Sequence, residues 1–191
     1  AAKMMGRWRS GAPLALCPER DDPELGADPK RNNDFLYYED DRLGFKTPLG
    51  SHSRRTNPRD GLTESRTSVR IRRMIRRGTS YGPLLPEGVL EDDGADRGLM
   101  FVFIGANITK QFEFVQSTRV NDGEFIGANT QTDPICGTNY LSADTNIPRR
   151  PIRPPREVLP RLVFTPAGES SLQPGVRGAR GARGPAPSCG H

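Results

Sequence analysis

The chain has two histidines, and the residues around the first of them are of types that could do chemistry together. His52 lies in the segment PLGSHSRRTNPRD, and the second histidine, His191, is the last residue. Pro48 and Gly50 favour a turn before His52, so we expect this histidine to begin a short ordered segment rather than lie within a helix. Three arginines follow it within seven residues. Guanidinium groups bind carboxylates and phosphates through paired hydrogen bonds, so the segment predicts an anion near one imidazole.

A haem is one ligand that needs both groups, because its iron takes an axial nitrogen and its two propionates attract cations. The residues alone leave a second interpretation open. A single histidine is more often a structural or surface residue than a metal ligand, since structural roles outnumber functional ones.

Four segments then resemble one family in the same order along the chain. PLGSHSRRTNPRD resembles the proximal-histidine motif of dye-decolorising haem peroxidases, with Thr47 where the family usually has Cys and Ser51 where it usually has Ala. Neither difference affects the expected ligand. The resemblance continues in RIRRMIRRGTSYGPLLP, in GLMFVFIGANITKQFEFVQ and in MGRWRSGAPL, and it covers nearly all of residues 4–150.

The resemblance implies a peroxidase that contains haem b (iron protoporphyrin IX) and oxidises organic electron donors with hydrogen peroxide. His52 would be the metal ligand, and Arg54 and Arg76 would bind the cofactor. Arg76 would also be catalytic, because a guanidinium stabilises the negative charge that develops on a peroxide oxygen; Arg77 is the next candidate. The family's distal aspartate lies in a GxxDG motif that these 191 residues lack, so we expect poor activity from this chain alone.

Two further segments resemble the family less closely. TDPICG is similar to its DPIIG-like segment, and a carboxylate commonly orients a ligating histidine through the other ring nitrogen. Asp133 is therefore a candidate for that role, although Asp before Pro also favours a plain turn. Ser170 and Ser171 stand where the family has the aromatic and aliphatic side chains that wall the distal side of the haem.

The apolar pattern predicts an α+β fold, an antiparallel sheet with packed helices. Residues 69–76 predict a strand that ends near Gly78, and residues 99–104 predict a central strand buried on both faces. Residues 109–120 predict an amphipathic helix, and residues 159–164 a last strand. The resemblance further implies a ferredoxin-like domain, the C-terminal half of a dimeric α+β barrel-like fold.

The composition divides the chain into a body at 1–165 and a low-complexity, disordered tail at 166–191. Residues 148–191 carry eight Arg against two acids, or +6, so the rest of the chain contributes −1 to the net charge of +5. A positive charge concentrated in residues 148–191 makes nucleic-acid binding by the rest of the chain an unfavourable interpretation. A non-catalytic haem-binding fragment, or an RNA-binding fragment acting through the Arg-Gly tail, are the alternatives.

The three cysteines contain no CxxC pair, which indicates neither a zinc site nor a disulfide framework. No apolar run is long enough for a membrane span, and no signal peptide is visible. We therefore expect a cytoplasmic protein, with a missing N-terminal export signal as the alternative. A homo-oligomer is also left open.

Overall fold

The structure, a computed structural model, describes residues 1–62, 66–86, 88–89, 91–125, 131–138, 143–145, 156–159, 163–165 and 168–171. The described residues form six short helices in the order α1 Ala2–Met5, α2 Pro23–Ala27, α3 His52–Thr56, α4 Arg66–Ile71, α5 Thr109–Glu113 and α6 Val115–Val120. The strands are β1 Ile75–Tyr81, β2 Gly98–Ile104, β3 Ala143–Thr145 and β4 Arg156–Leu159. Helices and antiparallel strands together confirm an α+β fold.

Long loops contribute much of the buried interior. The buried apolar residues that the structure describes are Ala12, Leu14, Ala15, Leu25, Tyr37, Val69, Val115 and Val120. The interior also holds three arginines, Arg54, Arg55 and Arg119. Burying a charged group is costly unless it is paired and hydrogen-bonded, so these arginines must be held by specific partners.

The residues expected to form one strand at 69–76 are divided between a helix and a strand, so that prediction is wrong. Helix α4 ends at Ile71, and β1 begins only at Ile75. Over so few residues an apolar pattern does not separate a strand from the end of a helix. Gly78 does not end the strand but lies within it, where a Cβ would come within 3.0 Å of the Leu99 side chain. A glycine at this position makes room for the cross-strand neighbour.

Strands β1 and β2 form an antiparallel pair in which Ile75 lies opposite Ile104 and Tyr81 opposite Gly98. The predicted strand at 99–104 is confirmed, but its predicted burial is wrong, because Met100 is 62% and Ile104 70% exposed. The described part of the chain places only two strands in this sheet. Two strands cannot bury both of their own faces, since burial needs another layer.

Helices α5 and α6 confirm the helix expected at 109–120. Both have π-helical hydrogen bonding, and Phe114 between them keeps right-handed helical dihedrals. Phe112 stacks on Phe103 of β2, with ring centroids 4.7 Å apart and an angle of 11° between the planes. Val115 and Val120 are buried on the same helical segment. The helix is therefore amphipathic and packs against one end of the sheet, as the pattern predicts.

Strands β3 and β4 form a second antiparallel pair, with Ala143 opposite Leu159 and Thr145 opposite Arg156. The strand predicted at 159–164 is observed earlier, because β4 ends at Leu159 and residues 163–165 have no regular structure. Ser170 and Ser171 are exposed, and residues 172–191 of the predicted tail lie outside the described residues. Among the described helices, none has the length and apolar content that a membrane crossing requires.

Candidate functional site

His52 is the first residue of α3, as the preceding turn predicts. The turn is closed by a hydrogen bond from the Ser51 backbone N–H to the Pro48 carbonyl at 3.0 Å, and Ser51 caps the helix with extended backbone dihedrals. The hydroxyl of Thr56 donates to the His52 carbonyl at 2.8 Å. The His52 side chain is 29% exposed. Turn and helix together fix the backbone and leave part of the imidazole open to solvent.

Asp133 holds one nitrogen of this imidazole from a distant part of the chain. His52 Nδ1 lies 2.9 Å from Asp133 Oδ2, and the carboxylate is fully buried. The other carboxylate oxygen, Oδ1, accepts hydrogen bonds from the backbone N–H groups of Ile135 at 2.9 Å and Cys136 at 3.0 Å. Asp133 is therefore a turn aspartate and the partner of His52 at once, so the two interpretations of the sequence are compatible.

The surroundings of Asp133 favour its ionised form. Burial by itself would raise the pKa of this carboxyl, but the hydrogen bond and the charge of His52 oppose it, as do the N–H groups of Cys136 and Ile135. Their combined effect lowers the pKa of Asp133 below its ordinary value. An ionised carboxylate can only accept hydrogen bonds, so Nδ1 of His52 carries the proton that it shares with Asp133. When the imidazole is neutral, its lone pair is then on Nε2.

Cys136 lies against this pair. Its Sγ is 3.7 Å from His52 Nδ1 and 3.7 Å from Asp133 Oδ1. Burial, followed by the negative charge of Asp133, raises the pKa of the Cys136 thiol to about 12. A thiol that stays protonated is a poor nucleophile. The geometry thus indicates a neutral hydrogen-bond donor rather than a reactive cysteine.

Arg55 ties the backbone that carries Asp133 to the helix that carries His52. Its Nη1 donates to the carbonyls of Arg119 at 2.6 Å and Asp122 at 3.1 Å, around the C-terminal end of α6. Its Nη2 donates to the Gln131 carbonyl, two residues before Asp133. The Asp133 N–H in turn donates to the Val120 carbonyl at 2.8 Å. One buried guanidinium therefore joins α3, α6 and the Asp133 turn.

Arg54 is buried and bonded to other residues of the chain, and its cofactor-binding role stays a prediction. It is 1% exposed, and its Nη1 donates to Asp41 Oδ2 at 2.9 Å and to the Thr47 carbonyl at 2.8 Å. Its Nη2 donates to the Asp41 carbonyl, and the guanidinium lies 4.3 Å from the centre of the Tyr37 ring. Sequence spacing places Arg54 near His52, but helix α3 directs its side chain inward. Arg54 therefore links α3 to Asp41 and Thr47 in the loop that precedes the His52 turn.

Arg76 lies on the separate β1–β2 sheet, where it is exposed and stands opposite Phe103. Its positive charge acts on Arg7, whose pKa is lowered first by burial and also by this neighbouring guanidinium. The catalytic and cofactor-binding roles of Arg76 stay predictions.

The described residues include one cluster of His, Cys, Asp and Glu side chains close enough to share a metal ion, formed by His52, Asp133 and Cys136 within 4.8 Å. A metal at this cluster would displace the buried bond between His52 and Asp133. A haem iron fits better, because it needs one imidazole nitrogen and would use Nε2 while Asp133 keeps Nδ1. The residues present therefore suit a haem group whose iron would be held by His52.

Two members of this site were not found from the sequence. Cys136 lies 84 residues from His52, and nothing in its local sequence distinguishes it from a buried structural cysteine. Arg55 stands in the arginine cluster after His52, but the pattern does not show that its donors reach carbonyls more than 60 residues away. Asp133 was identified as a candidate because it lies in a family-like segment.

The relatives of this chain include several dye-decolorizing peroxidases. The chain is 40% identical over 152 residues to a dye-decolorizing peroxidase of Mycena epipterygia, a match that covers 72% of this chain and 28% of the relative. It is 35% identical over 190 residues to a dye-decolorizing peroxidase of Exidia glandulosa, covering 94% of this chain and 37% of that relative. The chain thus spans about a third of the length of these relatives. No family model matches the sequence.

The fold agrees with the sequence relatives. A solved dye-decolorizing peroxidase in complex with 2,6-dimethoxyphenol superposes with a TM-score of 0.59 at 37% identity, covering 71% of this chain and 32% of that one. A similarity of fold at this level of identity agrees with the likeness of the four sequence segments. The chain belongs to the dye-decolorizing peroxidase family.

Proposed function

We propose that this chain supplies the iron ligand of a haem peroxidase that oxidises organic electron donors with hydrogen peroxide. The observation that carries the proposal is the bond between His52 Nδ1 and the buried carboxylate of Asp133, which leaves Nε2 as the nitrogen for iron. A second residue that holds the non-ligating nitrogen is a usual feature of metal-bound histidines. Membership of the peroxidase family gives the reaction class.

The chain's own residues in this proposal bind and orient. Asp133 fixes the tautomer and the ring direction of His52, and its negative charge makes Nε2 a stronger electron donor. Arg55 holds the backbone on which Asp133 lies. The haem, which we propose to be haem b, supplies the redox chemistry between peroxide and the organic donor.

Arg76 is the proposed catalytic arginine, on the strength of its place in the family-like segment. A guanidinium near bound peroxide stabilises the negative charge that develops on the departing oxygen. The solved complex of a similar peroxidase with 2,6-dimethoxyphenol supports a substituted phenol as one class of electron donor. We further propose that the β1–β2 pair and the helix packed on it belong to a ferredoxin-like domain, a topology that the family membership supports.

The ligand assignment is tested by titrating haemin into the 191-residue chain and into two single variants. His52→Ala should remove or strongly alter the Soret band of the complex, because it removes the ligating nitrogen. His191→Ala is the matched control, since it deletes the other histidine of the chain and should leave the spectrum unchanged. A His52→Ala spectrum identical to that of the wild type would mean that another residue ligates the iron.

The role of Arg76 requires a protein that turns over peroxide. We would insert the chain in place of the corresponding third of a full-length relative and compare Arg76→Leu with Arg77→Leu. Loss of one charge-stabilising donor lowers a rate by roughly 10²–10³-fold, and this is the expected effect of Arg76→Leu with haem content unchanged. Arg77 points to the opposite face of β1, so its variant should react normally. A slow Arg77→Leu protein would transfer the role to Arg77, and a loss of haem from Arg76→Leu would show a binding role instead.

A further inference from the structure

The Cys136 thiol lies beside the hydrogen bond between His52 and Asp133, close to both partners. Its Sγ lies 3.7 Å from Asp133 Oδ1, the carboxylate oxygen that His52 does not use. The thiol is also 3.7 Å from His52 Nδ1, but that nitrogen already carries a proton and cannot accept another. The thiol proton is therefore directed at the carboxylate.

The thiol therefore shares one oxygen of Asp133 with two backbone donors, while His52 lies on the other oxygen. Oδ1 receives the two backbone N–H groups of Ile135 and Cys136 together with the thiol, while Oδ2 receives His52. Each donor draws negative charge toward itself, so an extra donor on Oδ1 makes Oδ2 a weaker acceptor. A weaker acceptor leaves more of the proton's positive charge on the imidazole and makes Nε2 a weaker electron donor.

We propose that Cys136 is a positioning residue that limits the strength of the His52–Asp133 hydrogen bond and thereby tunes His52 as a metal ligand. This inference rests on the proposed function only where it concerns iron. The effect on the hydrogen bond itself concerns this chain's own side chains, and it can be measured without haem.

The Cys136 side chain can be replaced without removing the backbone hydrogen bonds of the turn that holds Asp133. The two backbone bonds to Oδ1 do not involve the side chain of Cys136, and the Gly137 N–H donates to the Asp133 carbonyl at 3.1 Å. Replacing the thiol by a hydrogen atom, as in Cys136→Ala, therefore removes one donor and keeps the backbone frame. Cys17 offers a matched control, because its half-buried thiol donates to the Pro13 carbonyl at 3.1 Å, away from His52.

The first measurement is the 15N chemical shift of His52 Nδ1 in the haem-free chain, detected through the carbon-bound ring protons. Cys136→Ala should move the Nδ1 resonance downfield, because the stronger bond to Asp133 gives the ring more imidazolate character. Cys136→Ser should return it toward the wild-type position, since a hydroxyl restores a donor. Cys17→Ala should leave it unchanged. An unchanged shift in Cys136→Ala, or equal shifts in the Ala and Ser variants, would overturn the proposal.

The second measurement is the midpoint potential of the haem-loaded chain. A more electron-donating His52 stabilises the oxidised iron, so Cys136→Ala should lower the potential. A tenfold change in the reduction equilibrium corresponds to about 59 mV for one electron, and Cys136→Ser should lie between wild type and Cys136→Ala. A chain that binds no haem would contradict the proposed function alone, because the Nδ1 shifts would still decide the role of Cys136. Altered Nδ1 shifts with an unchanged potential would confine that role to the hydrogen bond and overturn the tuning of iron.

Discussion

Replacing Asp133 by Asn tests whether the carboxylate determines which nitrogen of His52 is available to iron. The Asn side-chain oxygen can still accept the backbone N–H groups of Ile135 and Cys136, so the turn should persist. The amide NH₂ would then face His52 Nδ1. Because two donors cannot bond to each other, Nδ1 would have to be unprotonated and accept from the amide. The proton of the imidazole would move to Nε2, the nitrogen that we propose as the iron ligand.

The magnitude follows from the bond that is lost. A hydrogen bond to a charged group contributes about 1.5–3 kcal/mol, and the His52–Asp133 bond is 2.9 Å long with a fully buried acceptor. At about 1.4 kcal/mol per factor of ten, this predicts a loss in haem affinity of roughly 10–100-fold. Loss of a group that supports a metal-bound histidine typically has the same effect, roughly 10–100-fold.

The assay combines haemin titration with the 15N shifts of His52. Asp133→Asn should weaken haemin binding, and in the haem-free chain the Nε2 shift should become that of a protonated nitrogen. Asp93→Asn is the control, because Asp93 is exposed and pairs with Arg97 on the surface. Equal haemin affinity in wild type and Asp133→Asn, with Nε2 still unprotonated, would refute the reasoning.

Four further predictions concern the support of the site, its pH dependence and its activity. Arg55→Met should lower the free energy of unfolding by roughly 2–4 kcal/mol in chemical denaturation, because it leaves three backbone carbonyls without their buried donor. Gly137→Ala should lower it by roughly 1–3 kcal/mol and shift the His52 15N resonances, since the added Cβ would clash with the Asp133 carbonyl oxygen. The lowered pKa of Asp133 contributes stability that is complete above its unfolded value of about 3.9 and is lost as pH falls through the folded value, so acid titration of Asp133→Asn should lack this loss. The haemin-loaded chain should oxidise an anthraquinone dye far more slowly than a full-length relative, because these residues lack the GxxDG motif that would carry a proton-transferring carboxylate.

Each of these expectations has a defined contrary result. Wild-type stability in Arg55→Met would mean that the carbonyls find other donors. Unchanged His52 15N resonances in Gly137→Ala would mean that the Asp133 turn does not influence His52. Parallel acid curves for wild type and Asp133→Asn would remove Asp133 from the pH dependence. Dye turnover equal to that of a full-length relative would mean that Arg76 suffices or that another acid transfers the proton.

The sequence by itself determined the features that depend on neighbouring residues. Pro48 and Gly50 favour the turn that starts α3 at His52, and local apolar spacing predicts the β2 strand and the helical segment that follows it. The four family-like segments indicate the family by their residues alone, and the similarity to dye-decolorizing peroxidases confirms it. The +6 charge of residues 148–191 also follows from composition alone.

Only the tertiary structure decided which side chains meet. Arg54 and Arg55 are neighbours in one arginine cluster, yet helix geometry directs the first to Asp41 and the second to carbonyls near Asp133. The contact of Cys136 with His52 spans 84 residues, and local sequence patterns carry no information about such a distance. The partnership of His52 with Asp133 was predicted only as a candidate, through the family-like segment, and the structure brings the two side chains within 2.9 Å. The apolar pattern of β2 likewise does not predict its exposure, because burial depends on whether another layer covers the strand.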